Sequence, residues 1–103
     1  MISPGAAQAV EDWLAQGRAR EGLAEATLQA YRTDLHRFLG FLADHEGGAE
    51  GTRAIGRLGP SQMRSFMASE QARGIKPRSL ARSLSAIRGF CRFIAAREGI
   101  DAT

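Results

Sequence analysis

The segment 76–98 constrains the fold of this chain most, because it has the pattern of one long amphipathic helix. Its apolar residues recur at intervals of three and four positions, as in a helix that packs along a core. These residues are Leu80, Leu84, Ile87, Cys91 and Ile94. Pro77 suits the first turn, where its missing N–H costs no hydrogen bond, and Gly99 stands where a helix end favours glycine.

The opposite side of this helix is basic. It carries Arg78, Arg82, Ser85, Gly89 and Arg92, with Arg88 on its flank. The segment holds six basic residues and one acidic residue, a net charge of +5, whereas the whole chain carries +3. On most solvated helices, acidic residues four positions away neutralise the arginines, but few acidic residues occupy such positions here. Such a stripe is typical of a surface that binds phosphates.

Two expectations follow for the residues on this basic side. Small residues at 85 and 89 are expected to let the helix backbone approach a duplex closely, because alanine in place of Gly89 would otherwise be the more stable choice. The arginines are expected to be exposed. Replacing Arg82 or Arg92 by alanine is therefore expected to change stability by no more than about 0.5 kcal/mol.

Three further segments show helical periodicity. Ser3, followed by proline, is a start signal for a helix over about 4–20. A second helix is predicted over about 25–45, and a third of about fourteen residues from Pro60 to a left-handed glycine cap at Gly74. No strand pattern is present, so the prediction is an all-α four-helix bundle that forms one domain over all 103 residues.

The predicted core draws one apolar face from each helix. The second helix supplies Leu28, Tyr31, Leu35, Phe38, Leu39 and Leu42, and the third supplies Met63, Phe66 and Met67. Trp13, on the first helix, is expected to bury its ring in the core. Asp34 and Asp44 are placed on the exposed side of the second helix. The glycine-rich segment 46–58 is predicted to be a mobile loop, from which Ile55 and Leu58 return to the core.

The titratable residues form no catalytic or metal-binding pattern. His36 and His45 are nine residues apart on one predicted helix, so they point in different directions, and neither has a second ligand at a useful spacing. Tyr31 is interpreted as a core ring rather than a nucleophile. Cys91 is the only cysteine, which excludes an internal disulfide. We expect this chain alone to catalyse nothing and to use no cofactor, metal or small-molecule ligand.

The setting and the kind of partner follow from charge and hydropathy. No apolar run is long enough to span a membrane, and the N-terminus lacks the pattern of a secretory signal. A single thiol on an apolar stripe fits a reducing, cytoplasmic compartment. The positive charge concentrated on one helix favours a polyanion as partner, most simply nucleic acid.

Two sequence motifs occur in order along the chain. The pattern T-L-x-x-Y-x-x-D-L-x-x-F runs from Thr27 to Phe38, and S-x-x-R-x-L-S-A-I-R runs from Ser79 to Arg88. Together they resemble the N-terminal core-binding domain of the tyrosine recombinase (phage integrase) family, closest to the Xer type. The intervening LGPSQMRSFMASEQARG is similar to the family's third helix in length and in its closing Arg-Gly. The family usually has Ser or Thr where Ala24, Gly59 and Lys76 stand, so three helix caps are missing.

The resemblance implies a SAM-like, compact orthogonal bundle of four helices that forms one half of a C-shaped clamp around duplex DNA. In the family, the second and fourth helices face the DNA. The residues implied to bind DNA are Gln29, Arg32, Thr33, His36, Arg37, Lys76, Arg78, Arg82, Ser85, Arg88 and Arg92. The resemblance further implies that the family's catalytic C-terminal domain is absent from this chain and that Thr103 is expected to lie about where the interdomain linker begins.

Two readings of the basic surface therefore remain open from the residues alone. The first is a DNA-binding module, expected to be monomeric as a fragment, whose partners are double-stranded DNA and other recombinase subunits. The second is a helical protein-interaction module that binds an acidic partner through the basic last helix. The family resemblance favours the first reading.

Overall fold

The computed structural model describes residues 2–45, 55 and 58–100, and over these residues the chain forms four α-helices and no strand. The helices are α1 (Pro4–Glu21), α2 (Glu25–His45), α3 (Pro60–Ala72) and α4 (Pro77–Arg97). The all-α prediction is confirmed. None of the described helices is both long enough and apolar enough to cross a membrane.

The helix ends follow the local signals in the sequence. The Ser3 hydroxyl accepts a hydrogen bond from the Ala6 N–H at 3.1 Å, which satisfies one of the free amides at the start of α1. Gly22 and Gly74 have φ values of +63° and +87°, in the left-handed region that glycine enters without steric cost. At α4 the Lys76 side chain makes no capping hydrogen bond, yet the helix begins where Pro77 predicts.

The core forms where α1 and α4 pack on α2. Phe38, Phe66 and Phe90 are among its largest fully buried side chains. The rings of Phe38 and Phe66 lie 5.2 Å apart in an edge-to-face arrangement, which attaches α3 to α2. Of the predicted face of α3, Phe66 is buried, whereas Met63 and Met67 are half-buried.

The predicted apolar stripe of α4 was too narrow. Leu80, Leu84, Ile87 and Ile94 are buried as expected, but Phe90 is also fully buried, and Cys91 is only half-buried. The reason is that α4 packs against both α1 and α2, so a wider arc of its surface is covered than one partner would cover.

The predicted loop 46–58 lies outside the described residues except at two positions. Ile55 is buried, and Leu58 is half-buried against the core. The Leu58 N–H donates to the Ile55 carbonyl at 3.3 Å. The expectation that these two residues return to the core is confirmed.

Candidate nucleic-acid interface

The five polar residues predicted on α2 lie together on one surface. They line a single shallow depression: Gln29, Arg32, Thr33, His36 and Arg37. Their spacing of three and four residues places them on one face of α2, opposite the core-facing leucines. We refer to this surface as the α2 face. Its two arginines do not extend freely into solvent, because carboxylates on other helices hold both of them.

Arg32 is fixed by α1. Its Nε and Nη2 donate to the two carboxylate oxygens of Glu11 at 2.8 and 2.9 Å, and its Nη1 donates to Gln29 Oε1 at 2.8 Å. The hydrogen bond from Arg32 holds the pKa of Glu11 below its ordinary value. The same hydrogen bond raises the pKa of Arg32, although burial opposes this shift. The guanidinium therefore keeps one orientation at the edge of the α2 face.

Arg37 is fixed by α3. Its Nε donates to Glu70 Oε1 at 3.1 Å, and Arg73 Nε donates to Glu70 Oε2 at 2.6 Å. The Glu70 side chain is only 3% exposed, so a buried carboxylate is shared by two half-exposed guanidiniums. Neither Glu70 nor Arg73 was among the predicted site residues. The sequence did indicate that Glu70 would be buried, because residue 70 follows the buried Phe66 by one helical turn and therefore lies on the same face of α3.

Asp34 was predicted to be exposed, and that prediction was wrong. Asp34 is buried and accepts two hydrogen bonds from Arg82, from Nε and from Nη2, both at 2.9 Å. The physical reason is that α4 packs along this part of α2 and covers position 34 together with its neighbours Leu35 and Phe38. Arg82 thus joins α2 to α4, and this pairing raises the pKa of Arg82.

This ion pair changes the role assigned to Arg82. An arginine has five N–H donors, and two of those of Arg82 are occupied by Asp34, so three are left for another acceptor. With 43% of its side chain exposed, Arg82 can still meet a ligand. Its alanine variant is nevertheless expected to lose stability, which contradicts the expectation of an unaffected fold.

A second arginine of the α4 segment, Arg97, pairs with Asp12 of α1 at 2.8 Å. The four other basic residues of the segment are exposed: Lys76, Arg78, Arg88 and Arg92. Within the described part of the chain, none of them makes an ion pair. The shortage of acidic residues four positions away on this helix was correctly predicted, although Arg82 and Arg97 pair with acidic residues of α2 and α1. Among the described residues, Lys76, Arg78, Arg88 and Arg92 do not. Their positive charge is not neutralised locally, which is the condition that favours phosphate binding.

Gly89 has a different role from the one predicted. A Cβ atom built at this position would lie 3.0 Å from Cζ2 of Trp13, so the indole occupies the space that a side chain would need. Trp13 is half-buried, with ring centroids 5.7 Å from Tyr31 and 6.2 Å from Phe90. It therefore closes the edge of the core between α1 and α4, and Gly89 accommodates it.

A groove runs between α1 and α4 beside this indole, and two predicted residues lie on its α4 side. Ser85 and Arg92 line it together with Trp13 and Tyr31. Arg92 also lines the adjoining depression around Phe93. The predicted residues of α4 are therefore not gathered at one place: Arg82 lies at the contact with α2, whereas Ser85 and Arg92 line this groove. No group of three or more metal-ligating side chains occurs among the described residues.

Comparison with known proteins gives a consistent family assignment. Residues 10–98 match the family model described as phage integrase, N-terminal SAM-like domain. Curated relatives include tyrosine recombinase XerC from Mesorhizobium japonicum, 35% identical over 96% of this chain and 32% of that protein. The same-named protein of Methylobacterium nodulans is 39% identical over 94% of this chain and 30% of its own length. That of Nitrobacter winogradskyi is 40% identical over 90% of this chain and 29% of its own length.

The chain therefore spans about a third of the length of the curated relatives it matches. No solved structure gives a significant match.

Proposed function

The chain belongs to the phage integrase N-terminal SAM-like domain family, and from this premise we propose that it binds duplex DNA as one half of a recombinase clamp. The observation that carries the proposal is the Asp34–Arg82 ion pair, which joins the helix of the α2 face to the helix that carries the unpaired basic residues. The Asp34–Arg82 pair links the two helices, so the two surfaces keep a fixed relation to each other.

The two surfaces supply different kinds of contact. Lys76, Arg78, Arg88 and Arg92 carry charge that is not neutralised by neighbours among the described residues, which suits phosphates. The α2 face offers arginines of fixed orientation beside an amide, a hydroxyl and an imidazole. Fixed donors of this kind suit base edges or particular backbone oxygens, because they lose little side-chain entropy on binding.

The proposed role in the whole protein is site-specific recombination of DNA, including integration and chromosome partition, in the cytoplasm. This chain supplies DNA binding and no chemistry; strand cleavage belongs to the catalytic domain that the resemblance implies elsewhere in a recombinase. Its partners are double-stranded DNA and, in the full assembly, other recombinase subunits. By itself the chain is proposed to be a monomer without small-molecule ligands.

The test is the affinity of the 103-residue chain for duplex DNA as a function of salt, measured by fluorescence anisotropy. With roughly three to five phosphate contacts, log K is expected to fall with log salt at a slope of about −3 to −4. Arg78→Ala and Arg88→Ala are expected to flatten this slope. Arg64→Ala, which removes the same charge from an exposed position of α3, is expected to leave the slope unchanged.

Two results would contradict the proposal. Binding that does not depend on salt, or no binding by a folded chain, would favour the protein-interaction module with an acidic partner. A covalent protein–DNA adduct formed by the purified chain would contradict the proposal that this chain supplies DNA binding and no chemistry. Such an adduct would make Tyr31 the first residue to test, although this ring is half-buried and packs against Trp13.

A further inference from the structure

We propose that Arg37 and Arg73, both held on the buried carboxylate of Glu70, form a binding site for one backbone phosphate of the bound duplex. Glu70 is the positioning residue of this site. The inference rests on the proposed DNA-binding function and extends the interface from α2 onto the C-terminal end of α3. Nothing in the family match or in the sequence motifs assigns Arg73 to DNA.

The cluster of Arg37, Glu70 and Arg73 is positively charged. Two guanidiniums share one carboxylate, so the group carries a net charge of +1. The Glu70 side chain is 3% exposed, whereas those of Arg37 and Arg73 are 45% and 46% exposed. The negative charge is therefore enclosed by protein, and the positive charges face the surface. An anion that approaches from solvent meets the arginines first.

Both arginines keep N–H donors that Glu70 does not use. Arg37 uses Nε and Nη2 toward Glu70 Oε1, and Arg73 uses Nε toward Oε2. The Nη1 group of Arg37 and both terminal nitrogens of Arg73 have no other acceptor in the described part of the chain. Because both side chains contact the same carboxylate, their guanidiniums are neighbours and can share the oxygens of a single phosphate.

Stability alone does not call for this arrangement of two arginines on one carboxylate. A buried ion pair is often no more stabilising than apolar side chains of similar volume, and one arginine already neutralises one carboxylate. The second arginine leaves a surplus charge that folding does not require. A surplus that is fixed in place and exposed is useful for binding an anion.

The location fits the same conclusion. Arg37 is part of the α2 face, so Arg73 adjoins that face through Glu70. The carbonyl end of a helix normally repels a phosphate. Here the N–H groups of Arg73, Gly74 and Ile75 donate to the carbonyls of Ser69, Gln71 and Glu70, which reduces the exposed negative charge at the end of α3.

The experiment compares Arg73→Ala with Arg64→Ala. Both variants remove one arginine from the α3 region, and residue 64 lies about half a turn around the helix axis from residue 73. Affinity is measured by anisotropy on two duplexes of unrelated sequence across a range of salt. Arg73→Ala is expected to bind roughly fivefold more weakly on both duplexes, with a salt slope shallower by about 1. Arg64→Ala is expected to match the parent.

Two conservative variants separate positioning from a purely structural role. Arg73→Lys keeps the charge but loses the planar fork, so it is expected to retain the parental salt slope and part of the affinity. Glu70→Gln removes a negative charge and is expected, while still folded, to bind more weakly than the parent because the arginines lose their anchor. A Glu70 that served only the fold would give a folded Gln variant that binds at least as tightly as the parent.

The outcomes distinguish failure of the phosphate site from failure of the proposed DNA-binding function. If the parent binds with the expected salt slope while Arg73→Ala and Arg64→Ala behave alike, the phosphate site is wrong and the proposed function stands. If the folded parent does not bind DNA, the proposed function fails and the phosphate site fails with it. Should Glu70→Gln not fold, Arg73→Ala decides the matter alone, because it leaves Glu70 paired with Arg37.

Discussion

Replacement of Arg82 by alanine should destabilise the fold, and the expected loss in the free energy of unfolding can be worked out from the contacts of Arg82. The change removes two charge-assisted hydrogen bonds of 2.9 Å each and leaves the Asp34 carboxylate, 6% exposed, without its cation. Removal of one partner from a fully buried ion pair costs about 3–5 kcal/mol. Because 43% of the Arg82 side chain is exposed, its loss admits water to the carboxylate, and we expect roughly 2 kcal/mol.

The assays are urea unfolding and thermal unfolding, each followed by circular dichroism and by the fluorescence of Trp13, the only tryptophan. A loss of roughly 2 kcal/mol corresponds to a fall in Tm of about 8–16 °C for a domain of this size. The matched control is Arg88→Ala, which removes an exposed arginine of the same helix with no ion pair among the described residues. It should change the free energy of unfolding by less than about 0.5 kcal/mol.

A double-mutant cycle isolates the pair itself. Asp34→Ala together with Arg82→Ala should be less destabilising than the two single changes added, with a coupling of at least about 1 kcal/mol. If Arg82→Ala is as stable as Arg88→Ala, or if the cycle shows no coupling, the pair does not lock α2 to α4. In the first case, a weaker DNA affinity of Arg82→Ala could not be explained by loss of folded protein, and a direct contact with DNA would follow.

Three further predictions test other parts of the structure. Gly89→Ala should lower the free energy of unfolding by about 1 kcal/mol, although alanine is the better helix former, because its Cβ would meet the Trp13 indole; a stabilised variant would contradict this. The carboxyl of Glu11 should titrate by NMR below its ordinary pKa of 4.5, and Arg32→Ala should abolish the shift. Since the folded-state pKa is depressed, the stability from this pair is present above that ordinary value and is lost as the pH falls through the lower, folded value. Burial raises the pKa of the Cys91 thiol to about 11, so this thiol should react with a disulfide reagent at pH 8 far more slowly in the folded chain than in denaturant.

The helices were predictable from the sequence because their signals are local. Ser3 with its proline, and the left-handed glycines at 22 and 74, each act within one turn, and the structure places helix ends within about one residue of the expected positions. The α2 face was predictable for the same reason. Residues spaced by three and four positions on one helix remain neighbours whatever the rest of the chain does.

The partners of the arginines were not predictable in this way, because each lies on another helix. Arg32 pairs with Glu11 and Arg82 with Asp34, across 21 and 48 residues of sequence. A search for acidic residues four positions away on the same helix misses such pairs, and it made Arg82 look unpartnered. Position 34 itself carried a usable signal, since it falls three residues after Tyr31 and four before Phe38, within the arc that faces the core.

The division between paired and unpaired arginines has a consequence for how DNA affinity depends on salt. A guanidinium already neutralised by a carboxylate releases fewer condensed cations from DNA than a guanidinium without a partner. The salt slope should therefore come mainly from the exposed α4 segment and from the surplus charge of the Glu70 cluster. Arg32, bound to Glu11 on both oxygens, should contribute orientation rather than slope. Under the proposed function, salt dependence would then come mainly from α4 and the Glu70 cluster, and Arg32 with its neighbours on the α2 face would be the place to look for residues that distinguish one DNA sequence from another.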